Sequence, residues 1–162
     1  MRYLFLVFII CIGFAECKKS DGNSAPVIKF KSITPIYPLS NNSKEKPLLT
    51  IQVSDADGDL GFNDGKDTSY IYIKNITIGP PYRADSFKFP SSLSILPKTA
   101  FNNFVDVEID LNGLSGGGRA LAFTNKTGAR KDTTYYEVYV KDFGKNKSNV
   151  IKTDEPLVFV QF

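Results

Sequence analysis

The sequence predicts an all-β fold, a single antiparallel β-sandwich, and three observations carry that expectation. Apolar residues recur at every second position in one segment after another, the period of a strand with one buried face. Those segments are separated by clusters of Gly, Pro, Asn, Asp and Ser, the residues of turns. No stretch of the 162 residues sustains the stripe of an amphipathic helix.

The chain opens on a segment outside that fold. Arg2 precedes an almost unbroken apolar run from Tyr3 to Phe14, followed by Ala15-Glu16-Cys17-Lys18-Lys19. A basic start, a short apolar core and a small residue near its end describe a secretory signal peptide over residues 1–16. The run is shorter than the roughly 20 apolar residues of a spanning helix. Two cleavage sites are open. Phe14-Ala15-Glu16-Cys17 is similar to the site where bacterial lipoproteins are cut before a cysteine that is then acylated, with Phe where Leu is usual and Glu where Gly, Ala or Ser is usual. Gly13-Phe14-Ala15 is a small-x-small site that would release a chain starting at Glu16. Lipidation of Cys17 is the preferred reading, because the alternative leaves an exposed free thiol in an oxidising compartment. It implies a membrane partner through an N-terminal lipid anchor, and a place in the cell envelope on the periplasmic or cell-surface side of the outer membrane. Cys11 leaves with the signal and Cys17 is modified, so residues 17–162 contain no disulfide.

Residues 17–26, ending in the polar run Lys-Lys-Ser-Asp-Gly-Asn-Ser-Ala-Pro, read as the lipidated cysteine and a flexible stalk. The domain then occupies residues 27–162. Val27–Ile33 alternates well enough for a first strand. Pro35, Pro38 and residues 41–47 mark a loop, and Leu48–Ser54 places Leu49, Ile51 and Val53 on one face. Residues 69–76 put Ile71 and Ile73 on one side and Tyr70 and Tyr72 on the other. Residues 79–103 carry Pro80, Pro81, Pro90 and Pro97 and read as an irregular insertion. Phe104–Leu111 is the cleanest alternation, with Val105, Val107, Ile109 and Leu111 inward and Asp106, Glu108 and Asp110 toward water. A short strand near Ala120–Phe123, a strand over Thr133–Lys141 and a closing strand over Leu157–Gln161 complete the set. About seven strands of this kind predict a sandwich of immunoglobulin type.

Composition excludes more than it assigns. The net charge is +3, and it stays +3 once Arg2 and Glu16 leave with the signal, too mild and too evenly spread for a nucleic-acid partner. The chain has no histidine, which removes Ser-His and Cys-His nucleophile pairs and imidazole zinc sites. Gly116-Gly117-Gly118 is followed by Arg119, so it is no phosphate-cradling loop.

One segment points to chemistry: Asp55-Ala-Asp57-Gly-Asp59-Leu-Gly-Phe-Asn63-Asp64-Gly-Lys66-Asp67. Carboxylates at i, i+2 and i+4 directly after a strand repel one another, and a hard divalent cation removes the repulsion. Asp55, Asp57 and Asp59, with Asn63, Asp64 and loop carbonyls, form a candidate calcium site, completed by Asp64, Asp67 or Asp142. The start is similar to a helix-loop-helix calcium loop. Glycine, however, stands at the fourth and seventh positions instead of the sixth, and Lys66 occupies the twelfth, where a bidentate Glu is expected. The affinity expected of so incomplete a loop is that of extracellular modules, roughly 10⁻⁴ to 10⁻³ M. The alternative is a solvated Asp/Gly turn between two strands.

Val53-Ser-Asp-Ala-Asp-Gly-Asp-Leu-Gly61 with Asp67-Thr-Ser-Tyr-Ile-Tyr-Ile73 resembles the small uncharacterised lipoproteins of Bacteroidota. So do Asp132–Asp142 running into Phe143-Gly-Lys-Asn-Lys-Ser-Asn149, and the signal ending Cys17-Lys-Lys-Ser-Asp21. The resemblance implies an immunoglobulin-like fold, and lysine and acidic residues after the cysteine imply export to the cell surface. It assigns no activity.

Two further rows were weighed on alternation alone. Tyr70 with Tyr72, and Tyr135 with Tyr139, form either an aromatic platform for a glycan or protein partner or ordinary cross-strand packing. Asp106, Glu108 and Asp110 are most simply the wet face of a strand. The functional expectation is a non-enzymatic binding or accessory module of the cell envelope, stabilised by calcium. The competing readings are a carboxylate-dependent enzyme acting on glycans, and a structural envelope component without a ligand.

Overall fold

The structure, a computed structural model, describes residues 24–34, 36–38, 46–61, 69–77, 84–90, 93, 101–111 and 130–161. The signal segment, Cys17 and the strand expected near Ala120–Phe123 lie outside these residues. Among the described residues there is no α-helix, and no helix long and apolar enough to cross a membrane.

Among the described residues, ten strands form three sheets. In the first, β1 (Val27–Ile33), β3 (Leu48–Ser54) and β6 (Val105–Asp110) run antiparallel in the order β1-β3-β6. In the second, β4 (Tyr70–Asn75), β5 (Ala84–Lys88), β8 (Tyr136–Lys141) and β9 (Ile151–Lys152) run antiparallel in the order β5-β4-β8-β9. The third holds β2 (Ile36–Pro38), β10 (Leu157–Gln161) and β7 (Arg130–Thr134), with β10 antiparallel to β7 and parallel to β2.

The inward residues of the first two sheets meet in one core. Ile28, Leu49, Ile51, Val53, Val107 and Ile109 come from the first, and Ile71, Ile73, Tyr136, Val138 and Val140 from the second. Leu157 of β10 joins them. This is the arrangement of a sandwich: each sheet is apolar on one face, and the two faces cover each other. On the outer side of the first sheet Asp106 pairs with Lys31 and Gln52, and Lys46 with Asp110, as a wet face requires.

Strand β1 shows how local geometry rescues the pattern. Ile28 and Ile33 are both buried although an odd number of steps separates them, which strict alternation forbids. The register passes from Phe30↔Ile51 to Ser32↔Thr50, leaving Lys31 without a cross-strand partner. That bulge adds one residue and turns Ile33 back to the core.

Three expectations are corrected. The stretch 79–103 is not wholly irregular: β5 pairs with β4 along its length and forms an edge strand, where Asp85 and Lys88 are tolerated. Residues 36–38, read as loop because of Pro35 and Pro38, contribute the short edge strand β2, a place that accepts proline. The single strand expected over Thr133–Lys141 is divided at Tyr135, with β7 pairing to β10 and β8 to β4. The Tyr135 amide donates to Thr77 Oγ1 (2.9 Å) and its carbonyl accepts from the Ile76 amide (3.0 Å), so the corner is hydrogen-bonded. Thr134 and Tyr136 are buried on either side of exposed Tyr135. The inward–outward period runs through the corner unbroken, and only the hydrogen-bond partners change.

Replacing fully buried Ile51 by alanine should cost about 2–5 kcal/mol in urea unfolding, and Glu108→Ala on the exposed face under about 0.5 kcal/mol. Equal losses would remove β3 from the core.

Candidate metal centre

The aspartate loop leaves β3 at the edge of the core and is built so that each carboxylate has one engaged and one idle oxygen. The chain bends after β3 ends at Ser54, and Gly58 supplies the left-handed backbone the turn needs, at φ +68°. Asp55 is 2% exposed; its amide donates to the Phe101 carbonyl (2.7 Å) and its Oδ2 accepts from the Asp59 amide (3.0 Å). Asp57 Oδ2 accepts from the Ser24 amide (2.8 Å). Asp59 Oδ2 accepts from the Gly144 amide (3.1 Å), and the Asp59 carbonyl accepts from the Phe143 amide (3.1 Å). These last two bonds tie the loop after β3, in the first sheet, to the turn after β8, in the second.

The remaining oxygens, Oδ1 of Asp55, Asp57 and Asp59, are buried and have no hydrogen-bond partner. One carboxylate oxygen from each of the three lies within 4.8 Å of the others. No lysine or arginine pairs with any of the three among the described residues. The group can hold a metal ion. Its donors are all oxygens, which suits a hard cation.

The electrostatics carry the same message. Burial, then the neighbouring Asp57 charge, pushes the Asp55 carboxyl up to about 7. Burial also raises Asp59; the Gly144 amide works against it, and the charge of Asp142 adds to it. Asp57 is held below the usual carboxylate range: burial opposes this, and the Ser24 amide with the other hydrogen bonds outweighs it. Three acids that would be equivalent in water are thus held apart, chiefly by unequal burial and by the amides that Asp57 and Asp59 accept from, with the charges of neighbouring acids adding to the rise of Asp55 and Asp59.

The structure brings together three of the five metal residues expected from sequence. Asn63, Asp64 and also Asp67 lie outside the described residues. Asp142 is buried nearby but does not join the group: its Oδ1 accepts from the Asn146 amide (2.7 Å) and its Oδ2 from Asn146 Nδ2 (2.8 Å). It caps its own turn, where Lys145 sits in the left-handed region at φ +65°. Sequence reasoning missed the contributions of Ser24, Phe143 and Gly144. All three act through backbone amides, which any residue but proline supplies, so residue identity carried no signal.

The tyrosines resolve toward cross-strand packing. Tyr72 and Tyr139 are paired across β4 and β8, with ring centroids 4.6 Å apart and planes 7° from parallel. Tyr70 lies 6.3 Å from Tyr72 at 46°. Lys147 Nζ stands 4.2 Å from the Tyr139 ring centre and Lys141 Nζ 5.6 Å from that of Tyr72. The ring faces are engaged by one another and by these ammonium groups. Tyr135 lies apart, at the corner between β7 and β8.

No protein-family model matches the chain, and a search of curated proteins finds no match. Among solved structures the chain is similar to a crystal structure of selenomethionine-labelled β-glucosidase from Kluyveromyces marxianus, at 10% identity and a TM-score of 0.29. The match covers 86% of this chain and 15% of that one, and likeness at this level carries no argument about fold or activity.

A carboxyl whose folded pKa is raised binds its proton more tightly when folded, so it stabilises at low pH and costs stability as pH climbs. For Asp55 the window runs from the unfolded value near 4 to about 7. Without metal, the melting midpoint should therefore drop as pH rises from about 4 to about 7, and Asp55→Asn should flatten most of that slope. Thermal melts across this range in chelator test it, and a midpoint that rises with pH would contradict the site's electrostatics.

Proposed function

We propose that this chain is a lipoprotein of the cell envelope, anchored through Cys17. Its one immunoglobulin-like β-sandwich is a non-enzymatic binding or accessory module stabilised by calcium at Asp55, Asp57 and Asp59. The observation that carries the calcium reading is the set of three buried, partnerless Oδ1 atoms on neighbouring carboxylates. An unpaired buried polar atom costs about 1–3 kcal/mol, more when charged, and a cation satisfies all three at once.

Calcium is favoured within the hard cations. It takes six to eight oxygens in adaptable geometry, whereas magnesium demands a near-ideal octahedron and keeps its waters. Asn63, Asp64 and solvent complete the shell in this reading. Asp55 must lose its proton to serve as a ligand, so binding strengthens as pH rises through about 7. The role of the ion is structural: it cancels the repulsion and fixes the loop between the two sheets. The immunoglobulin-like reading draws support from two antiparallel sheets sharing one core, with β2, β7 and β10 forming a third sheet beside them. The non-enzymatic reading draws support from Asp55 itself, since a general acid must touch its substrate and this one is 2% exposed.

Calcium at one hundred times its dissociation constant should stabilise the mature domain by about 2.7 kcal/mol, raising the melting midpoint by about 5–10 °C. Asp57→Asn should lose most of that rise. An unchanged midpoint in calcium and chelator would reduce the loop to an ordinary turn. Turnover of a glycan panel that disappears in Asp57→Asn would instead favour the enzyme.

The anchor is tested separately. Expressed in a bacterium fed a labelled fatty acid, the chain should carry the label and partition with membranes, and Cys17→Ser should do neither. A soluble, unlabelled product beginning at Glu16 would replace the lipoprotein reading with simple secretion.

A further inference from the structure

Ser24 belongs by sequence to the polar stretch that leads into the domain, and in the structure it is attached to the aspartate loop. Its amide donates to Asp57 Oδ2 at 2.8 Å, across thirty-three residues of chain. Its hydroxyl oxygen is buried and makes no hydrogen bond. Four buried side-chain polar atoms at this end of the domain share that condition. Three are the Oδ1 atoms of Asp55, Asp57 and Asp59, and a fourth is Ser24 Oγ, on the residue whose own amide holds Asp57. Idle oxygens are therefore concentrated on one loop and the one residue strapped to it, as a cation shell would require. The next residues are Ala25 and Pro26, and β1 begins only at Val27.

We propose that Ser24 is part of the cation site, its hydroxyl a further oxygen ligand, so that the ion latches the segment preceding β1 onto the domain. This rests on the reading of the loop as a cation site and adds the strap to it. The link runs through Asp57, which holds the Ser24 amide on one oxygen and leaves the other to the ion. Without the ion, repulsion from Asp55 and Asp59 acts on the carboxylate that grips the strap. With it, that carboxylate is fixed and the hydroxyl gains a partner. Coupling of this kind is reciprocal: whatever factor the ion adds to strap docking, a docked strap adds to ion affinity. The neighbouring charged and titratable groups are Asp55 and Asp59 on the same loop and Asp142 on the turn after β8, and all are acids.

The experiment is hydrogen exchange of the Ser24 amide in the mature protein, in calcium chloride and in chelator, beside calcium titrations of Ser24→Ala and Ser24→Thr. The Ser24 amide should exchange about tenfold more slowly with calcium, within the usual range of coupling factors. Ser24→Ala, which keeps the amide and loses the hydroxyl, should bind calcium about tenfold more weakly, and Ser24→Thr should restore the affinity. Equal exchange rates in the two buffers, with a melting midpoint that still rises in calcium, would overturn the latch and leave the cation site standing. Wild-type affinity in Ser24→Ala would overturn the hydroxyl's role. Neither protection nor a midpoint shift in calcium would remove the cation site and the latch together.

Discussion

Repulsion among three carboxylates in one small volume is the constraint that organises this end of the domain. Asp55, Asp57 and Asp59 are forced together because β3 delivers the first to the edge of the core, and Gly58 bends the chain so that the others follow. Every backbone amide that reaches the loop offsets part of that repulsion, and those amides come from three separate places in the sequence. The loop is therefore a junction. It gathers the segment before β1, the exit of β3 and the exit of β8, and what steadies its charge steadies all three.

Much of the fold was legible in the residues. Strands β3, β4 and β6 were marked by alternation clean enough to name their inward side chains, and the structure buries Ile51, Ile73 and Val107 as that period requires. What was not legible has a physical reason in each case. The corner at Tyr135 keeps the two-residue period while exchanging one set of hydrogen-bond partners for another, and a sequence displays side chains, not partners. The bulge at Lys31 shows only as a break in parity between Ile28 and Ile33. Strand β5 buries too little apolar surface to leave a hydrophobic signature. For the site, the acidic spacing named its three central residues. The amides that hold them could not be read from sequence, because main-chain donors look alike at every position.

The same distinction separates the loop from the tyrosine row. In sequence, both have the composition of a surface that meets a ligand. In the row, three of the four rings have neighbours: Tyr72 lies on Tyr139 with Tyr70 beside it, and Lys141 and Lys147 approach Tyr72 and Tyr139. In the loop, three carboxylate oxygens have found none. Unsatisfied polar groups in an otherwise well-paired fold are where a missing component belongs.

Asn149 has a consequence for the order of events in the life of the chain. Its side chain accepts from the Ile28 amide and donates to the Ile28 carbonyl, both across 121 residues, so it pairs with β1 as a neighbouring strand would. Gly144, which closes the aspartate loop through Asp59, comes only five residues earlier. Chains are made from the amino end. Strand β1 can pair with β3 early, and its other contact, with Asn149, waits until nearly all the rest has emerged. Contacts of such long range slow folding, and here they also postpone it. The acidic loop gains its last two amides only once Phe143 and Gly144 are in place. A truncated copy ending before residue 142 would carry all three aspartates and still lack the amides that aim Asp59.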